Sequence, residues 1–181
     1  MHKAIDIANF FIDLTNSMDE CHITNMKVNK LVYFAQAWSM VKYNKKLFDE
    51  NIEAWKYGPV IPSVYNAFKI CGSQNIAATY GDYNQDIFSS EELDLLVDVA
   101  LTYGKYEAFV LRDMTHEDAG PWDRVYEERK NNVIPDELIK NYYSKSKHSL
   151  PDYELKSEAY VGYHDEDGHL VLPKEWDDDN V

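Results

Sequence analysis

Cysteine is scarce in this chain of 181 residues, which contains only Cys21 and Cys71. The two lie far apart and neither belongs to a CxxC pair, so the sequence gives no disulfide framework and fits a reducing compartment. Long apolar runs are also missing. Residues 1–14 mix charged with apolar side chains, unlike a signal peptide, and no run approaches the length of a membrane span. We therefore expect a cytoplasmic protein.

Basic residues are few. The chain has 18 Lys and Arg against 32 Asp and Glu, and its formal net charge is -14. Such a surface repels phosphates and anionic lipids, so we expect neither direct binding to nucleic acid nor association with membranes. It would attract a basic protein partner and speed the encounter with it.

Sequence motifs of common enzymes are absent as well. The chain has no GxxxxGK[ST], GxGxxG, HExxH or GxSxG motif. The most enzyme-like stretch is His116-Glu117-Asp118, because a His beside carboxylates is typical of general bases and metal ligands. Adjacent side chains on a helix point in different directions, so we favour a helix end at which His116 meets the negative end of the dipole. We predict no catalytic residue, metal or cofactor; a small metal-dependent hydrolase around His116 is the enzymatic alternative.

Two other groups of metal-ligand residue types are present. His164 and His169 flank three acids at 165–167, but the spacing departs from the EF-hand pattern and the histidines lie across a predicted turn. Cys21-His22 has no second half-site. Cys71 follows an apolar helix and is predicted to be a small buried residue.

Helical periodicity covers most of the first 145 residues. Thr24 is a predicted N-cap, Pro62 suits a first helical turn, and Ser89 with Glu92 forms a predicted capping box before a helix that ends at Gly104. The later helices are predicted to bury Phe109, Val110 and Met114 in one case, and Leu138, Ile139 and Tyr142 in the other. The predicted helices cover residues 2–15, 24–44, 62–71, 89–104, 106–115, 122–130 and 134–142.

The remaining segments predict turns. Residues 46–55 suggest a short β-hairpin that turns at 49–51, Gly58-Pro59 marks a backbone break, and residues 72–88 read as a loop. Asp167-Gly168 predicts a small hairpin near the C-terminus, followed by a disordered end. The fold class is therefore mainly α: a compact multi-helix single domain over 1–149 with a short β-hairpin insertion, and a C-terminal acidic extension over 150–181. Residues 151–181 hold ten acids and two lysines.

The order of several blocks resembles the Panacea, or SocA-like, domain family. Residues 30–38, KLVYFAQAW, resemble the family's KLxYxAQxW-like helix. Within residues 47–65, the LFDE, IEAW, YGPV and VY blocks follow in the family's order, and residues 115–122, THEDAGPW, resemble its Thr-His and Pro-Trp segment. The similarity extends over roughly residues 5–130.

This resemblance implies a compact helical antitoxin from a bacterial or prophage toxin–antitoxin pair. Family members neutralise unrelated toxins by direct contact, and one related member instead delivers its toxin to the ClpXP protease as an adaptor. The expected function is thus an antitoxin that is not an enzyme, with a proteolytic adaptor as the alternative. The expected partner is a cognate protein toxin, predicted to be basic. Homo-oligomers and toxin–antitoxin hetero-oligomers both remain open.

Large aromatic side chains are the predicted anchors for that partner. The chain has 14 tyrosines and 4 tryptophans, and rigid aromatics are enriched among the residues that dominate protein interfaces. For each single aromatic, a place in the core is the competing interpretation. The Gly58-Pro59 elbow is expected to shape one edge of the binding surface. The candidate partner-binding residues are Trp55, Tyr57, Gly58, Pro59, Tyr65, His116 and Trp122.

Overall fold

The computed structural model describes residues 1–18, 22–145, 149–150, 163–164 and 170–171. Within them the α-helices are α1 (Ala4–Asn16), α2 (Asn25–Lys42), α3 (Pro62–Phe68), α4 (Ser90–Tyr103), α5 (Ala108–Thr115) and α6 (Asp136–Tyr143). Short 3₁₀ turns cover Lys69–Cys71 and Gln85–Ile87. The strands are β1 (Glu53–Trp55), β2 (Gly58–Val60), β3 (Tyr163–His164) and β4 (Leu170–Val171).

Helix α2 is the centre of the fold and contacts each of the other five α-helices. It is buried on most sides, as its apolar residues on successive faces predict. The buried apolar side chains of the described residues form one core cluster, which includes Tyr33, Phe34 and Trp38 from α2. The prediction of a mainly α, compact single domain with a short β-hairpin is confirmed.

Local capping signals fix the helix starts as predicted. The Thr24 hydroxyl accepts a hydrogen bond from the Lys27 backbone N–H at 3.3 Å, which begins α2. At α4, Ser89 and Glu92 each bond to the other's backbone N–H and complete a capping box. Pro62 occupies the first turn of α3.

A buried amide ties the segment after α2 back to the core. The Gln36 side chain accepts the Leu47 backbone N–H at 2.8 Å and donates to the Phe48 carbonyl at 2.8 Å. Gln36 is fully buried, so these bonds meet the hydrogen-bonding needs of a polar group that would otherwise be costly to bury. These bonds fix the path of residues 47–48. The predicted hairpin turn at 49–51 is wrong, because Phe48 pairs with His2 and β1 pairs with β2.

The hairpin instead joins β1 to β2 and turns at Lys56-Tyr57. Ala54 pairs with Pro59 and Trp55 with Gly58, so Gly58-Pro59 is part of a strand. Gly58 has a φ of +95°, a conformation that glycine adopts without the steric cost of a Cβ.

Residues 132–134 support the other side of β1. The Ala54 backbone N–H donates to the Asn132 carbonyl, and the Ile134 N–H donates to the Ile52 carbonyl, both at 2.8 Å. A two-stranded hairpin is marginal alone, so this added pairing helps to hold it against the helices.

The helix predicted over 122–130 is wrong, because this segment forms turns. Arg129 has a φ of +65°, which a right-handed helix does not allow. In a helix the Val125 carbonyl would accept a backbone N–H from within the segment. Here it accepts the Asn132 side-chain amide at 2.8 Å.

The inward orientation predicted for Phe109 and Val110 is also wrong, since these side chains are 58% and 42% exposed. Helix α5 buries Leu111 and Thr115, which are spaced by four residues, and this places Phe109 and Val110 on its outer side. Met114 does pack against the core, as predicted. Residues 72–88 are irregular apart from the 3₁₀ turn at Gln85–Ile87.

Strands β3 and β4 pair antiparallel, with Tyr163 opposite Val171 and His164 opposite Leu170. The disordered end predicted beyond this hairpin lies outside the described residues, as do residues 151–162 of the acidic extension.

Candidate partner-binding site

The β1–β2 hairpin is seated on a lysine of the central helix. Lys30 is buried, and its ammonium group donates to the Pro59 carbonyl at 2.9 Å. Burial, and secondarily the positive charge of Arg112, lower the pKa of Lys30 to about 7. A Cβ on Gly58 would lie only 2.8 Å from the Lys30 Nζ and 2.7 Å from the Thr115 Oγ1. The close approach of α2, β2 and α5 therefore requires glycine at position 58.

Two asparagines on α2 secure the end of the hairpin. Asn29 accepts the Ile61 backbone N–H at 3.1 Å and donates to Asn25 at 2.9 Å. Asn25 in turn donates to the Tyr65 carbonyl at 3.0 Å. These bonds fix the passage from β2 into α3, and so the position of Tyr65.

Trp122 bonds to the backbone of the hairpin. Its indole N–H donates to the Trp55 carbonyl at 2.7 Å, and its ring centroid lies 3.7 Å from that of His116. The Trp122 ring also stacks with Tyr126, at a centroid distance of 4.4 Å. Trp122 is buried, so it acts as a structural support for Trp55 and presents little surface of its own.

Between α2, the hairpin and α3 lies a cleft of about 310 Å³. Its aromatic lining is Trp55, Tyr57 and Tyr65. The Trp55 and Tyr65 rings meet edge to face at 4.8 Å, and the Trp55 indole N–H donates to Glu53 at 2.7 Å. Tyr57 is 49% exposed at the hairpin turn, and Tyr65 is 36% exposed. A cleft of this size suits a side chain or a short peptide segment.

The structure thus brings the seven sequence-predicted residues into one region, in three different roles. Trp55, Tyr57 and Tyr65 line the cleft. Gly58 and Pro59 are buried in β2 and shape the hairpin. Trp122 bonds to the hairpin backbone, and His116 packs against Trp122. Whether any of them contacts a partner stays a prediction.

Sequence reasoning missed the contribution of α2 to this site. Asn25 and Asn29 are four residues apart, and so are Met26 and Lys30, so each pair shares a helix face. Polar residues at that spacing beside apolar ones were the available signal. All four line the cleft.

His116 lies at the end of α5, as predicted, and Glu117 and Asp118 follow it. His116 is the C-cap residue, and its Nδ1 lies 2.6 Å from the Arg112 carbonyl, so the ring interacts with the carbonyl end of the helix. The Tyr142 hydroxyl donates to Glu117. His116 faces Trp122 instead, so these side chains do not converge on one point. Among the described residues, no group of three His, Cys, Asp or Glu side chains could hold a metal ion.

The remaining predictions about metal-ligand residue types concern the two cysteines and the two histidines near the C-terminus. Cys21 and His169 lie outside the described residues, and so does the side chain of His164. Cys71 is half-buried, so the prediction that it is a buried residue is wrong in degree. It is exposed on one side because the short 3₁₀ turn that carries it follows the end of α3 at the surface.

In the described part of the chain, no helix combines the length and the apolar character needed to cross a membrane. Fold and site together define a mainly helical domain that carries an aromatic cleft beside a short, well-anchored hairpin. The chain belongs to the family described as Antitoxin SocA-like, Panacea domain, whose model matches residues 28–123.

A particular relative is similar over most of its length. The chain is 30% identical to Antitoxin SocA of Caulobacter vibrioides (strain NA1000 / CB15N) over 162 residues. The aligned region covers 80% of this chain and 84% of the relative. No solved structure matches the chain.

Proposed function

We propose that this protein is an antitoxin that neutralises a cognate protein toxin by direct binding, and that the cleft and the hairpin turn form the contact surface. Membership of the SocA-like antitoxin family carries the proposal. The matched residues, 28–123, include Trp55, Tyr57, Gly58, Pro59, Tyr65, His116 and Trp122.

The geometry of the cleft supports this use. Exposed aromatic side chains bind best when their conformations are fixed before the partner arrives, because less conformational entropy is then lost. Trp55 is held by its bond to Glu53 and by Tyr65, and its backbone carbonyl is held by Trp122. Tyr57 projects from the turn between two anchored strands.

Charge supports a basic toxin as the partner. The chain carries a net charge of -14, and ten acids lie within residues 151–181. We propose that the acidic extension attracts the toxin at long range while the cleft provides the specific contact. The complex would form in the cytoplasm, without nucleic acid, membrane or catalysis by this chain.

Growth rescue tests the proposal. The protein and the toxin encoded by its neighbouring gene are expressed from separate inducible promoters, and growth and toxin level are followed together. Neutralisation by binding predicts restored growth with undiminished toxin, in hosts with and without the ClpXP protease. If rescue requires ClpXP and toxin levels fall, the protein is an adaptor. Continued lethality despite abundant folded protein would refute the antitoxin assignment.

Purification of the complex provides a second readout. We expect the two proteins to elute together in a fixed ratio, and metal analysis of the isolated antitoxin to find no stoichiometric zinc. Stoichiometric zinc, with turnover of a small molecule, would instead support a hydrolase around His116.

A further inference from the structure

The cleft has a charge opposite to that of the protein as a whole. Lys30, Lys56 and Lys69 line it, and no Asp or Glu is among its lining residues. In a chain with 32 acidic and 18 basic residues, three lysines around one small cleft mark a local basic site. A site of this charge favours a negatively charged group.

These lysines are also not neutralised by acids of the described residues. Lys30, Lys56 and Lys69 form no ion pair there. By contrast Lys42, Lys45 and Lys46, at and just after the end of α2, pair with Asp98, Glu92 and Asp136, respectively. The Lys56 Nζ lies over the Tyr57 ring at 5.5 Å, and Lys69 bonds to the neutral Asn66 amide at 3.3 Å. The charges of Lys56 and Lys69 are therefore available at the rim.

Lys30 lies deeper in the cleft wall. Its one hydrogen bond within the described residues is to the Pro59 carbonyl, and an ammonium group has three donors. The first residue of α2, Asn25, lines the same cleft, so the positive end of an 18-residue helix adds to the local potential. The cleft offers positive charge at its rim and the N–H donors of Lys30 in its wall, next to the apolar faces of Trp55 and Tyr65.

We propose that this cleft receives a carboxylate of the toxin, either an Asp or Glu side chain or the C-terminal carboxylate, paired with Lys56 and Lys69 at the rim and directed toward Lys30. The apolar part of the same segment packs on Trp55 and Tyr65. This inference rests on the proposed function, because it takes the occupant to be a protein. The toxin would be basic overall and still present one acidic residue at the centre of the contact.

Overlapping 12-residue peptides that span the toxin test the proposal. Their binding to the purified full-length protein is measured by tryptophan fluorescence and calorimetry. We expect the tightest peptide to contain an acid or the C-terminus. Asn or Gln in place of the acid, or an amide at the C-terminus, identifies which carboxylate is used and should weaken binding about tenfold or more.

Charge reversal tests the same point from the antitoxin. The double variant Lys56→Glu/Lys69→Glu changes two exposed side chains and should weaken binding of the toxin about tenfold or more, with an unchanged melting temperature. Lys105→Glu is the matched control, because Lys105 is exposed and does not line the cleft. Lys30→Met should also weaken binding, after unfolding curves confirm that it folds.

Three outcomes would overturn the carboxylate proposal. The charge-reversed protein could bind the toxin as tightly as the wild type; the best peptides could lack any required carboxylate; or ATP could bind the cleft and displace them, which would make it a phosphate site. In each case growth rescue by the wild-type protein would show that the antitoxin function itself stands. Failure of that rescue is a separate result and refutes the function.

Discussion

Gly58 lies against Lys30 so closely that a Cβ at position 58 would be 2.8 Å from the lysine Nζ. The same added atom would be 2.7 Å from the Thr115 Oγ1, and the Gly58 φ of +95° disfavours any L side chain. The hairpin, the central helix and the end of α5 therefore meet at one glycine. The position of Tyr57 depends on this junction.

Gly58→Ala should accordingly destabilise the protein by about 2 kcal/mol or more, because backbone strain and overpacking add. Urea unfolding followed by circular dichroism measures this loss. Gly81→Ala is the matched control: Gly81 has a φ of +70°, but an added Cβ would meet nothing within 4 Å. We expect a loss of about 1 kcal/mol there. Equal losses at the two sites would contradict the close packing at Gly58.

Lys30 should make stability depend on pH. Its pKa is lowered from 10.5 to about 7 in the folded protein, mainly by burial. Between these values the unfolded chain binds a proton that the folded chain does not, so stability gains from this group as pH rises above about 7. Below about 7 both states are protonated, and the full cost of burying the charge is present.

The comparison of wild type with Lys30→Met isolates this effect. The free energy of unfolding of the wild type should rise relative to the variant by up to about 1.4 kcal/mol per pH unit above neutrality. Unfolding at pH 6, 7 and 8.5 measures it, and Lys105→Met, at an exposed site, serves as the control. A wild-type-to-variant difference that stays constant across these pH values would show that Lys30 is not perturbed.

The indole of Trp122 should matter for both stability and binding. Trp122→Phe removes the bond to the Trp55 carbonyl and should cost about 1–2 kcal/mol, since a partly buried acceptor loses its partner. Because the hairpin is then less firmly held, affinity for the toxin should fall as well. Trp38→Phe removes a comparable bond, to the Tyr103 hydroxyl, outside the cleft. It should lower stability alone; a loss of affinity equal to that of Trp122→Phe would argue against a specific role for the hairpin.

Substitution of His116 distinguishes the binding proposal from the hydrolase alternative. His116→Gln, or dialysis against EDTA, should leave toxin neutralisation largely intact. The His116 ring packs on Trp122, and it belongs to no metal-binding group of side chains among the described residues. Growth rescue tests the variant, and inhibition of the purified toxin tests the dialysed protein, with the melting temperature as a check on folding. Neutralisation lost on removal of metal and restored by zinc would support the hydrolase alternative.

Local signals in the sequence predicted much of this fold. Thr24 and the Ser89–Glu92 box act through bonds within one turn, so their effects can be seen from neighbouring residues. The apolar faces of α2 and the proline that opens α3 gave correct helices for the same reason.

The errors occur where distant residues decide the structure. Gln36 binds the backbone of residues 47–48, and the Asn132 amide donates to the Val125 carbonyl that a helix would need. Lys30 is buried, and its ammonium group bonds to the carbonyl of Pro59, which is 29 residues away. The sequence pattern gives no direct sign of such bonds between separate segments. At the candidate site, the aromatics of the hairpin could be predicted, but the place of Lys30 in the cleft wall could not, because a lysine is ordinarily solvated.

Affinity for the toxin in variants of the two exposed cleft tyrosines tests the central claim most directly. Calorimetric titration of the purified toxin compares wild type, Tyr57→Ala/Tyr65→Ala and the control Tyr80→Ala, whose tyrosine is 56% exposed but does not line the cleft. We predict saturable binding by wild type and Tyr80→Ala, and binding about tenfold weaker or more by the double variant, which should remain folded although it loses the contact between Tyr65 and Trp55. Absence of binding by the wild type, or wild-type affinity in the folded double variant, would contradict the claim that this cleft neutralises a toxin by direct contact.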